Sequence, residues 1–337
     1  MHPPTHPSPN LPARAAAAPA QAGSAVPRPA RVPRRAVHGV LLLDKPVGLT
    51  SNQALQQAKR LFRAEKAGHT GTLDPLASGL LPLCFGAATK FAQVSLDADK
   101  AYEATLKLGV TTTTADAEGK VLEVRPVAVT REQVLAACKG FTGAIEQLPP
   151  MFSALKHEGR ALYDYARAGI EIERAPRRVQ IISIELIDGG GDVWRINVRC
   201  SKGTYVRTLA EDIGRALGSG AHLQALRRTA SGPLTLARAC TLEQLAVLDE
   251  PGRDACLLEP DALIADAPLL RLDAAAAARF LNGVRQRTVA AAAPLVRVYG
   301  PEPRAFLGGG HVVAGELIST RLLSPAEVQD LLNESTP

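Results

Sequence analysis

The sequence has few cysteines, no Cys-x-x-Cys pair and no long apolar run. The five cysteines lie far apart, at positions 84, 138, 200, 240 and 256. This spacing disfavours a zinc site and a dithiol redox motif, and it indicates buried thiols in a reducing compartment. No segment approaches the roughly 18–20 apolar residues that cross a bilayer, and the N-terminus lacks the apolar core of a secretory signal. We therefore expect a cytoplasmic protein with no membrane span.

Aromatic residues are also scarce, at 4% of the chain with a single tryptophan. They are too few to serve as general core filler, so each tyrosine must be considered individually. Four of them stand out: Tyr102, Tyr163, Tyr165 and Tyr205. The chain of 337 residues is 46% hydrophobic, which is enough for two folded domains or for one large domain with an appendage.

Positive charge is concentrated in two stretches, although the formal net charge is only +6. Residues 1–36 carry five arginines and no acid, and residues 194–228 carry seven basic and two acidic side chains. A compact positive segment within folded sequence is what a polyanion-binding face needs, because phosphate contacts dominate the affinity for nucleic acids.

The order of patterns along the chain predicts three regions. Residues 1–36 are Pro, Ala and Arg in low-complexity order, which predicts a disordered basic tail. Residues 37–255 combine alternating strands with helices but without a regular βαβ rhythm, which predicts an α+β domain on a mixed, mostly antiparallel sheet. Within it, about 147–180 looks like an insertion that projects from the sheet. Residues 265–332 resume short strands and predict a small β-rich domain.

Capping and periodicity predict individual elements. One helix is expected to begin at Thr50 or Ser51 and another after Thr130, because these side chains precede apolar residues at helical spacing. Residues 205–217 also predict a helix, and Val312–Ile318 predicts a strand.

The most informative stretch runs from Gly68 to Gly86 and reads GHTGTLDPLASGLLPLCFG. Asp74 is its lone carboxylate, among small and apolar neighbours. Pro75 lacks a backbone N–H and biases Asp74 toward an extended conformation, so we expect a rigid loop, including Gly79, that presents Asp74 outward. An Asp-Pro pair by itself is usually a turn, but these surroundings make Asp74 a candidate catalytic carboxylate.

The pattern G-H-T-G-x-L-D-P-x-A-x-G-x-L in this stretch resembles the catalytic motif of bacterial tRNA pseudouridine-55 synthases. Further matches to that family follow in order, and the resemblance spans residues 38–320. They are Lys45-Pro46, Ala88-Thr89-Lys90-Phe91, Lys100-Ala101-Tyr102, Met151 to Lys156, Leu162 to Arg167, and Cys200 to Arg207. The resemblance implies a pseudouridine synthase fold and an enzyme that isomerises a T-loop uridine of tRNA without a metal or organic cofactor.

Asp74 corresponds to the family's catalytic aspartate. The resemblance implies that it acts on a flipped-out uridine so that the N1 glycosidic bond breaks, the uracil turns, and C5 bonds to the sugar. Addition to C6 of the base and attack at the sugar both remain open, and either requires an ionised carboxylate. Arg207, the family's partner for this aspartate, would favour the charged form. An RNA phosphate contact is the alternative for Arg207.

Five more residues receive substrate-binding roles from the resemblance. Tyr102 would stack on the extracted uracil, and Tyr205 would contact the base and move a proton at C5. His69 would contact the target nucleotide, Leu226 would line the uracil pocket, and Lys90 would bind substrate. A structural role in the core is the alternative for the tyrosines and for Leu226. No second His or Cys lies at ligand spacing from His69, so we expect no metal there.

The implied partner is tRNA, held at the T-loop of its elbow region. The insertion at about 147–180 resembles the family's thumb, and residues 265–332 resemble its PUA-type RNA-binding domain. The basic segment is expected to add cations around the catalytic sheet: Arg195, Arg199, Lys202, Arg227 and Arg228. The resemblance further implies a monomer that needs no guide RNA or protein partner.

Three other functions remain open at this point. An RNA-binding or tRNA-folding protein with a vestigial catalytic site would bind T-loop RNA without forming product. A guide-RNA-dependent synthase would need an added RNA or protein partner. An aspartyl-phosphate phosphatase is disfavoured, because Asp74-Pro75-Leu76 lacks the D-x-D pattern that binds magnesium.

Overall fold

The computed structural model describes residues 33–302 and 305–333. The chain divides into two units, residues 1–33 and residues 34–337. All of the helices and strands named below belong to the second unit. In the described part of the chain, no helix is long and apolar enough to cross a membrane.

The basic tail predicted for residues 1–36 lies mostly outside the described residues, where it stays a prediction. Its last residues belong to the fold instead. The Arg35 guanidinium donates to the Phe62 carbonyl oxygen at 3.2 Å and pairs with the Asp254 carboxylate. Folded structure therefore begins slightly before residue 37, because Arg35 is tied to two distant segments.

Strands and short helices alternate along the chain. The strands are β1 (Gly39–Lys45), β2 (Ala67–His69), β3 (Ala77–Phe85), β4 (Lys100–Leu108), β5 (Val110–Thr112), β6 (Val121–Val124), β7 (Gly143–Gln147), β8 (Lys156–His157), β9 (Arg160–Ala161), β10 (Arg177–Gly190), β11 (Val193–Cys200), β12 (Ala221–Ser231), β13 (Leu234–Thr235), β14 (Leu257–Leu258), β15 (Leu269–Arg271), β16 (Gln286–Arg287), β17 (Ala293–Tyr299), β18 (Phe306–Val313) and β19 (Glu316–Leu322). The α-helices are α1 (Ser51–Leu61), α2 (Ala92–Asp97), α3 (Arg131–Gly140), α4 (Leu162–Arg167), α5 (Val206–Ala216), α6 (Leu242–Val247), α7 (Glu250–Asp254), α8 (Ala274–Leu281) and α9 (Pro325–Asn333). Short 3-10 helices lie at Gly86–Phe91, Leu236–Arg238 and Ala262–Ile264.

The helix starts follow the capping residues that the sequence predicts. Thr50 caps α1 and Thr130 caps α3, and in both cases the third helical residue, Gln53 or Gln133, returns a hydrogen bond to the cap. Such a capping box satisfies backbone N–H groups that the first helical turn leaves unpaired. Helix α5 also lies within the predicted range 205–217.

The main sheet has strand order β14-β1-β3-β12-β4-β11-β10-β7, with β2 beside β3 and β13 beside β12. Strand β12 pairs with β3 in parallel, and the other neighbours are antiparallel. This confirms the predicted α+β class with a mixed, mostly antiparallel sheet. At one edge Gln147 of β7 lies opposite Arg177 of β10. Residues 148–176, here called the thumb segment, therefore leave the sheet and return to it at the same place.

Strand β1 is apolar at successive positions because both of its faces are buried. Leu41 and Leu43 pack in a core with α1 and α6, whereas Val40 and Leu42 face the opposite way. This second face shares its core with the C-terminal sheet, including Phe306. A strand covered on both sides is expected to be continuously hydrophobic, and each fully buried leucine contributes about 1.5–3 kcal/mol.

The C-terminal region forms its own five-stranded sheet, in the order β15-β17-β18-β19-β16. This confirms the β-rich region expected from the sequence. The sheet packs against the main sheet partly through Phe91 and Phe306, whose ring centroids are 5.4 Å apart.

One predicted strand, Val312–Ile318, is wrong. Strand β18 ends at Val313 and β19 begins at Glu316, with a two-residue turn between them. Ala314 and Gly315 both have positive φ, 51° and 75°. Two left-handed residues match the twist of a tight β-hairpin, so the apolar run is split into two antiparallel strands.

Candidate active site

A cavity of 280 Å³ is lined by the ends of several main-sheet elements. Its wall brings together the loop before β3, strands β4 and β12, and the start of α5. Five of the predicted site residues lie there: Asp74, Tyr102, Tyr205, Arg207 and Leu226. The volume is near the lower end of the range for small-ligand pockets, so the cavity suits a compact ligand.

Asp74 is presented by a loop between β2 and β3 that is tied down on two sides. The Pro75 carbonyl oxygen accepts from the Gly48 N–H at 2.8 Å. The Ser51 hydroxyl donates to the Leu73 carbonyl oxygen at 3.0 Å and accepts from the Leu73 N–H at 2.7 Å. The loop is therefore held firmly, while the Asp74 side chain stays 42% exposed to the cleft.

Arg207 lies in the first turn of α5 and points its guanidinium at Asp74. Its Nε is 3.1 Å from Asp74 Oδ2 and 3.7 Å from Asp116 Oδ2. The two terminal nitrogens donate to the carbonyl oxygens of Thr114 and Phe152, at 3.2 and 2.7 Å. Because these partners surround the planar guanidinium, its orientation toward Asp74 is fixed.

Burial in the cleft raises the pKa of Asp74 above the usual range for an aspartate. The charge of Arg207 opposes this rise in pKa, Asp116 adds to it, and Lys45 opposes it more weakly. The guanidinium does favour the charged form, as the sequence suggests, but desolvation has the larger effect. Asp74 therefore holds its proton more tightly than an exposed aspartate does.

Asp116 is a site residue that sequence patterns do not single out. It is 3% exposed, and its Oδ1 accepts from the Thr114 hydroxyl at 2.5 Å and from the Glu118 N–H at 3.1 Å. These bonds leave Oδ2 facing Arg207. An aspartate after a run of threonines is typical of an ordinary turn, so the sequence holds no signal for this contact.

Tyr102, Leu226 and Arg228 come together across two neighbouring strands. Arg228 of β12 lies opposite Tyr102 of β4, and all three residues line the cavity. Arg228 is 1% exposed, and it donates to the carbonyl oxygens of Leu80 and Gly71 at 2.7 and 3.1 Å. Burial raises the pKa of Tyr102, with Arg228 opposing this rise, so the phenol stays neutral. The sequence predicts Arg228 as one of the cations around the catalytic sheet, and the structure places it in the buried cavity wall.

Gly79 allows β12 to approach β3 closely. It lies inside β3 and not in the predicted loop, with φ of +95°. A Cβ at this position would come within 2.3 Å of the Arg228 carbonyl oxygen. Only glycine therefore lets β12 pair here and bring Arg228 to the cavity.

Tyr205 immediately precedes α5, and a buried glutamine holds its backbone. The Tyr205 N–H donates to Gln147 Oε1 at 3.0 Å, and Gln147 Nε2 donates to the Tyr205 carbonyl oxygen at 3.3 Å. Burial raises the pKa of the Tyr205 hydroxyl. The phenol is therefore protonated at neutral pH, on the same cavity wall as Arg207.

His69 lies on a second cavity, of 540 Å³, which meets the first at Asp74, Ser153 and Arg207. Burial lowers the pKa of His69, and Arg228 lowers it further. The imidazole is therefore neutral at pH 7. His69 and Tyr102 line different cavities, and Asp74 lines both.

Lys90 does not join the other predicted site residues. Its ammonium donates to the Leu322 carbonyl oxygen at 2.8 Å and pairs with Glu327 Oε2 at 2.5 Å. Both partners belong to the C-terminal region. The substrate-binding role of Lys90 stays a prediction, and its pairing with the C-terminal region favours a structural role instead.

Two buried lysines support the cleft wall. Lys45 donates to the carbonyl oxygens of Pro46 and Leu49 at 2.8 and 2.6 Å. Lys100 donates to three carbonyl oxygens within residues 95–98. Burial lowers the pKa of each ammonium to about 8. Both lysines occur in motifs of the family resemblance, and the structure explains them as supports for backbone turns.

Three arginines of the basic segment 194–228 face away from the cavity. Strand register puts Arg195, Arg199 and Arg227 on the sheet face opposite to Tyr102, because side chains alternate along a strand. Arg195 and Arg227 are also paired with carboxylates, at 3.1 and 2.7 Å. The number of charges in this segment can be taken from the sequence, but the sheet face that each one occupies cannot.

The thumb segment carries cations of a different kind. The Arg167 guanidinium lies 5.3 Å from the centre of the Tyr163 ring, and that of Arg160 lies 4.7 Å from the centre of the Tyr165 ring. Both arginines are exposed, and Arg167 and Tyr163 line the second cavity. The charge of Arg167 is thus available at a cavity that Asp74 also lines.

The assembled cleft combines an oriented carboxylate with neutral phenols and an aromatic wall. It suits a planar, uncharged ring stacked near Tyr102, with Asp74 at the edge of that ring as nucleophile or base. Among residues 33–302 and 305–333, no group of three His, Cys, Asp or Glu side chains is placed to hold a metal ion.

Family models cover most of the chain. Residues 59–206 match the TruB family pseudouridylate synthase N-terminal domain, residues 207–263 match the tRNA pseudouridylate synthase B C-terminal domain, and residues 268–323 match the pseudouridine synthase II TruB C-terminal region.

Individual proteins agree with these models. The tRNA pseudouridine synthase B of Verminephrobacter eiseniae is 57% identical over 309 residues, covering 90% of this chain and 93% of that protein. The protein of the same name from Cupriavidus taiwanensis is 57% identical over 306 residues, covering 88% and 97%. A chain from the crystal structure of a Cbf5-Nop10-Gar1 complex superposes with a TM-score of 0.65 at 26% identity, covering 85% of this chain and 84% of that one.

Proposed function

Since the chain belongs to the TruB family of pseudouridylate synthases and isomerises uridine to pseudouridine in tRNA, we propose that its target is the T-loop uridine, position 55 by family convention. The observation that carries the proposal is the Asp74–Arg207 pair at 3.1 Å, set in a cavity lined by Tyr102 and Tyr205.

In the proposed reaction, the uridine flips out of the T-loop and its base stacks on Tyr102. Ionised Asp74 forms a transient bond to C1′ of the ribose or to C6 of the uracil, and the N1–C1′ bond breaks. The uracil turns so that C5 bonds to C1′ while the bond to Asp74 breaks. Tyr205 accepts the proton from C5 as it gives up its own hydroxyl proton, and N1 takes up a proton, so the product is an isomer of the substrate. Arg207 orients Asp74, and His69 and Leu226 contact the target nucleotide.

We propose that the thumb segment binds the T-loop directly. Arg167 is supported on the Tyr163 ring beside the second cavity, where a phosphate next to the flipped nucleotide could reach it. The C-terminal sheet, which we interpret as PUA-type, would bind a further part of the tRNA. With these two contacts, the protein would act in the cytoplasm as a monomer without guide RNA or partner protein.

Mapping pseudouridine in a tRNA transcript tests this function. Purified protein is incubated with the transcript alone, which is then labelled with carbodiimide and read by primer extension. We expect one new stop at the T-loop uridine and none in a transcript with cytidine there. Binding without a stop would support a vestigial site, and a stop that required added RNA or protein would support a guide-dependent synthase.

A further inference from the structure

Ser153 is a buried serine in the thumb segment whose hydroxyl has no hydrogen-bond partner. It is 5% exposed, and within residues 33–302 and 305–333 no group completes a hydrogen bond to its Oγ. The Tyr205 hydroxyl lies near Ser153, which opposes the rise in the pKa of Tyr205. The two hydroxyl groups do not, however, meet the geometry of a hydrogen bond. A buried hydroxyl without a partner is costly, so its presence in a cleft suggests that a ligand supplies the partner.

The backbone around Ser153 is fixed before any ligand binds. The Ser153 N–H donates to the Met151 carbonyl oxygen at 2.9 Å, and the Ser153 carbonyl oxygen accepts from the Tyr163 N–H at 3.1 Å. The preceding residue, Phe152, accepts from Arg207 at 2.7 Å. The backbone next to Ser153 is therefore held by the same guanidinium that orients Asp74.

The two cavities indicate which part of the substrate lies next to Ser153. Ser153 and Asp74 line both of them, so both residues lie at their junction. The first cavity extends to Tyr102 and Leu226 and would hold the uracil. Because the bond that breaks joins uracil to ribose at Asp74, the ribose must lie at the junction. Its 2′-hydroxyl both donates and accepts hydrogen bonds, which matches a serine hydroxyl.

We propose that Ser153 is a substrate-contacting residue whose Oγ forms a hydrogen bond with the ribose 2′-hydroxyl of the uridine being isomerised. This inference rests on the proposed function. It makes Ser153 a specificity residue, because discrimination between ribose and deoxyribose at the target nucleotide then depends on this side chain.

A thermodynamic cycle tests the contact. T-stem-loop RNAs with uridine or 2′-deoxyuridine at the target are bound to the Asp74→Asn protein, in which turnover is blocked, and to Asp74→Asn/Ser153→Ala. We expect the deoxy RNA to bind about 3- to 10-fold more weakly to the first protein and equally well to the second. An unchanged ratio of dissociation constants in the second protein would overturn the inference.

Ser201 provides a matched control serine. It lines the first cavity, but its hydroxyl already accepts from the Gln180 N–H at 2.9 Å. Ser201→Ala in the same background is expected to keep the full ratio between the two RNAs. Loss of the ratio in this control as well would show a general disturbance of the cleft and would overturn the assignment to Ser153.

Thermal unfolding separates contact with substrate from a structural role. Free Ser153→Ala protein should unfold at the wild-type temperature or above, since no formed hydrogen bond is removed. A lower melting temperature together with an unchanged ratio would mean a structural role and would contradict the inference. If the alanine variant does not fold, Ser153→Cys, with similar volume and a weaker donor, is tested in the same way and should reduce the ratio.

Product mapping with wild-type protein on the uridine RNA distinguishes failure of the Ser153 contact from failure of the proposed function. Pseudouridine at the target with an unchanged ratio would refute the role of Ser153 alone. Absence of pseudouridine there would refute the proposed T-loop target, and the role of Ser153 with it.

Discussion

The cleft around Asp74 and the thumb segment both depend on arginines, but they use them differently. In the cleft, Arg207 is buried, and carboxylate and carbonyl oxygens surround its guanidinium. In the thumb segment, Arg160 and Arg167 are exposed and lie over tyrosine rings. A buried and paired guanidinium orients its neighbours, whereas an exposed and stacked one keeps its charge available to phosphate. The surroundings of an arginine thus distinguish the proposed catalytic role from the proposed RNA contact better than the number of charges does.

The largest effect is expected for Asp74→Asn, which removes the ionised carboxylate from the cleft. We expect product formation in single-turnover assays to fall by at least about 10⁴-fold, while filter binding of tRNA stays within a few-fold of wild type. Asp266→Asn, a change at an exposed carboxylate outside both cavities, should keep the wild-type rate. A rate near wild type for Asp74→Asn would show that the cleft around Asp74 is not the site of the reaction.

Arg207→Gln should have the next largest effect, because it removes a buried charge that Asp74 and Asp116 share. The single-turnover rate is expected to fall by about 10²- to 10³-fold. Loss of the partner of the buried Asp116 should also lower the free energy of unfolding by about 3–5 kcal/mol, measurable by urea denaturation. If Arg207→Gln weakened tRNA binding and left the rate of bound complexes unchanged, Arg207 would belong with the thumb cations.

The pH dependence of the rate tests the electrostatics of the cleft. The proposed reaction needs ionised Asp74, so the single-turnover rate should rise about tenfold per pH unit up to the pKa of Asp74 and then level off. Because burial raises that pKa, levelling should occur at a higher pH than for an exposed aspartate. In Asp116→Asn the rate should level off at a lower pH, because Asp116 raises the pKa of Asp74. In Arg207→Gln it should level off at a higher pH, because Arg207 lowers that pKa. Shifts in the opposite directions would contradict the placement of Asp116 and Arg207 beside Asp74.

A smaller effect is expected for Arg167→Gln on the thumb segment. Tyr163 supports this exposed guanidinium, and its loss should weaken tRNA binding about 3- to 10-fold and lower the salt dependence of log Kd by about 0.7–0.9. Arg195→Gln is the matched control, because Arg195 is paired with Glu103 on the opposite sheet face. Equal losses for both variants, measured by salt titration of binding, would contradict the contrast between free and paired cations.

The smallest effect on activity is expected at Lys90. This cation lies outside both cavities and, like Arg207, is paired with a carboxylate. Lys90→Met removes the bonds to Glu327 and to the Leu322 carbonyl oxygen. The free energy of unfolding should fall by about 1–2 kcal/mol, seen as a lower melting temperature, with the single-turnover rate unchanged. A large loss of rate without loss of stability would restore Lys90 as a substrate contact.

Patterns between near neighbours predicted much of the fold. The caps at Thr50 and Thr130 and the helix after Tyr205 depend on residues a few positions apart. The prediction failed at Val312–Ile318, because the choice between a strand and a hairpin turn depends on backbone angles at Ala314 and Gly315. An apolar run does not reveal those angles.

The site was predictable only where a motif carried it. The loop pattern and family resemblance singled out Asp74, and ordered matches added Tyr102, Tyr205 and Arg207, which the structure brings together. Asp116 and Ser153 could not be found in the same way. Their importance comes from contacts, or a missing contact, with groups far away in the chain.

Local preference and an uninterrupted run of residues were enough to predict most of the elements, the family and the loop that carries Asp74. Three features became visible in the folded chain alone: Arg228 lines the cavity while Arg227 lies on the other face, Lys90 bonds to the C-terminal region, and the Ser153 hydroxyl is left unpaired. The physical reason is that strand order and register decide which distant side chains meet, and a shift of one residue along a strand exchanges its two faces.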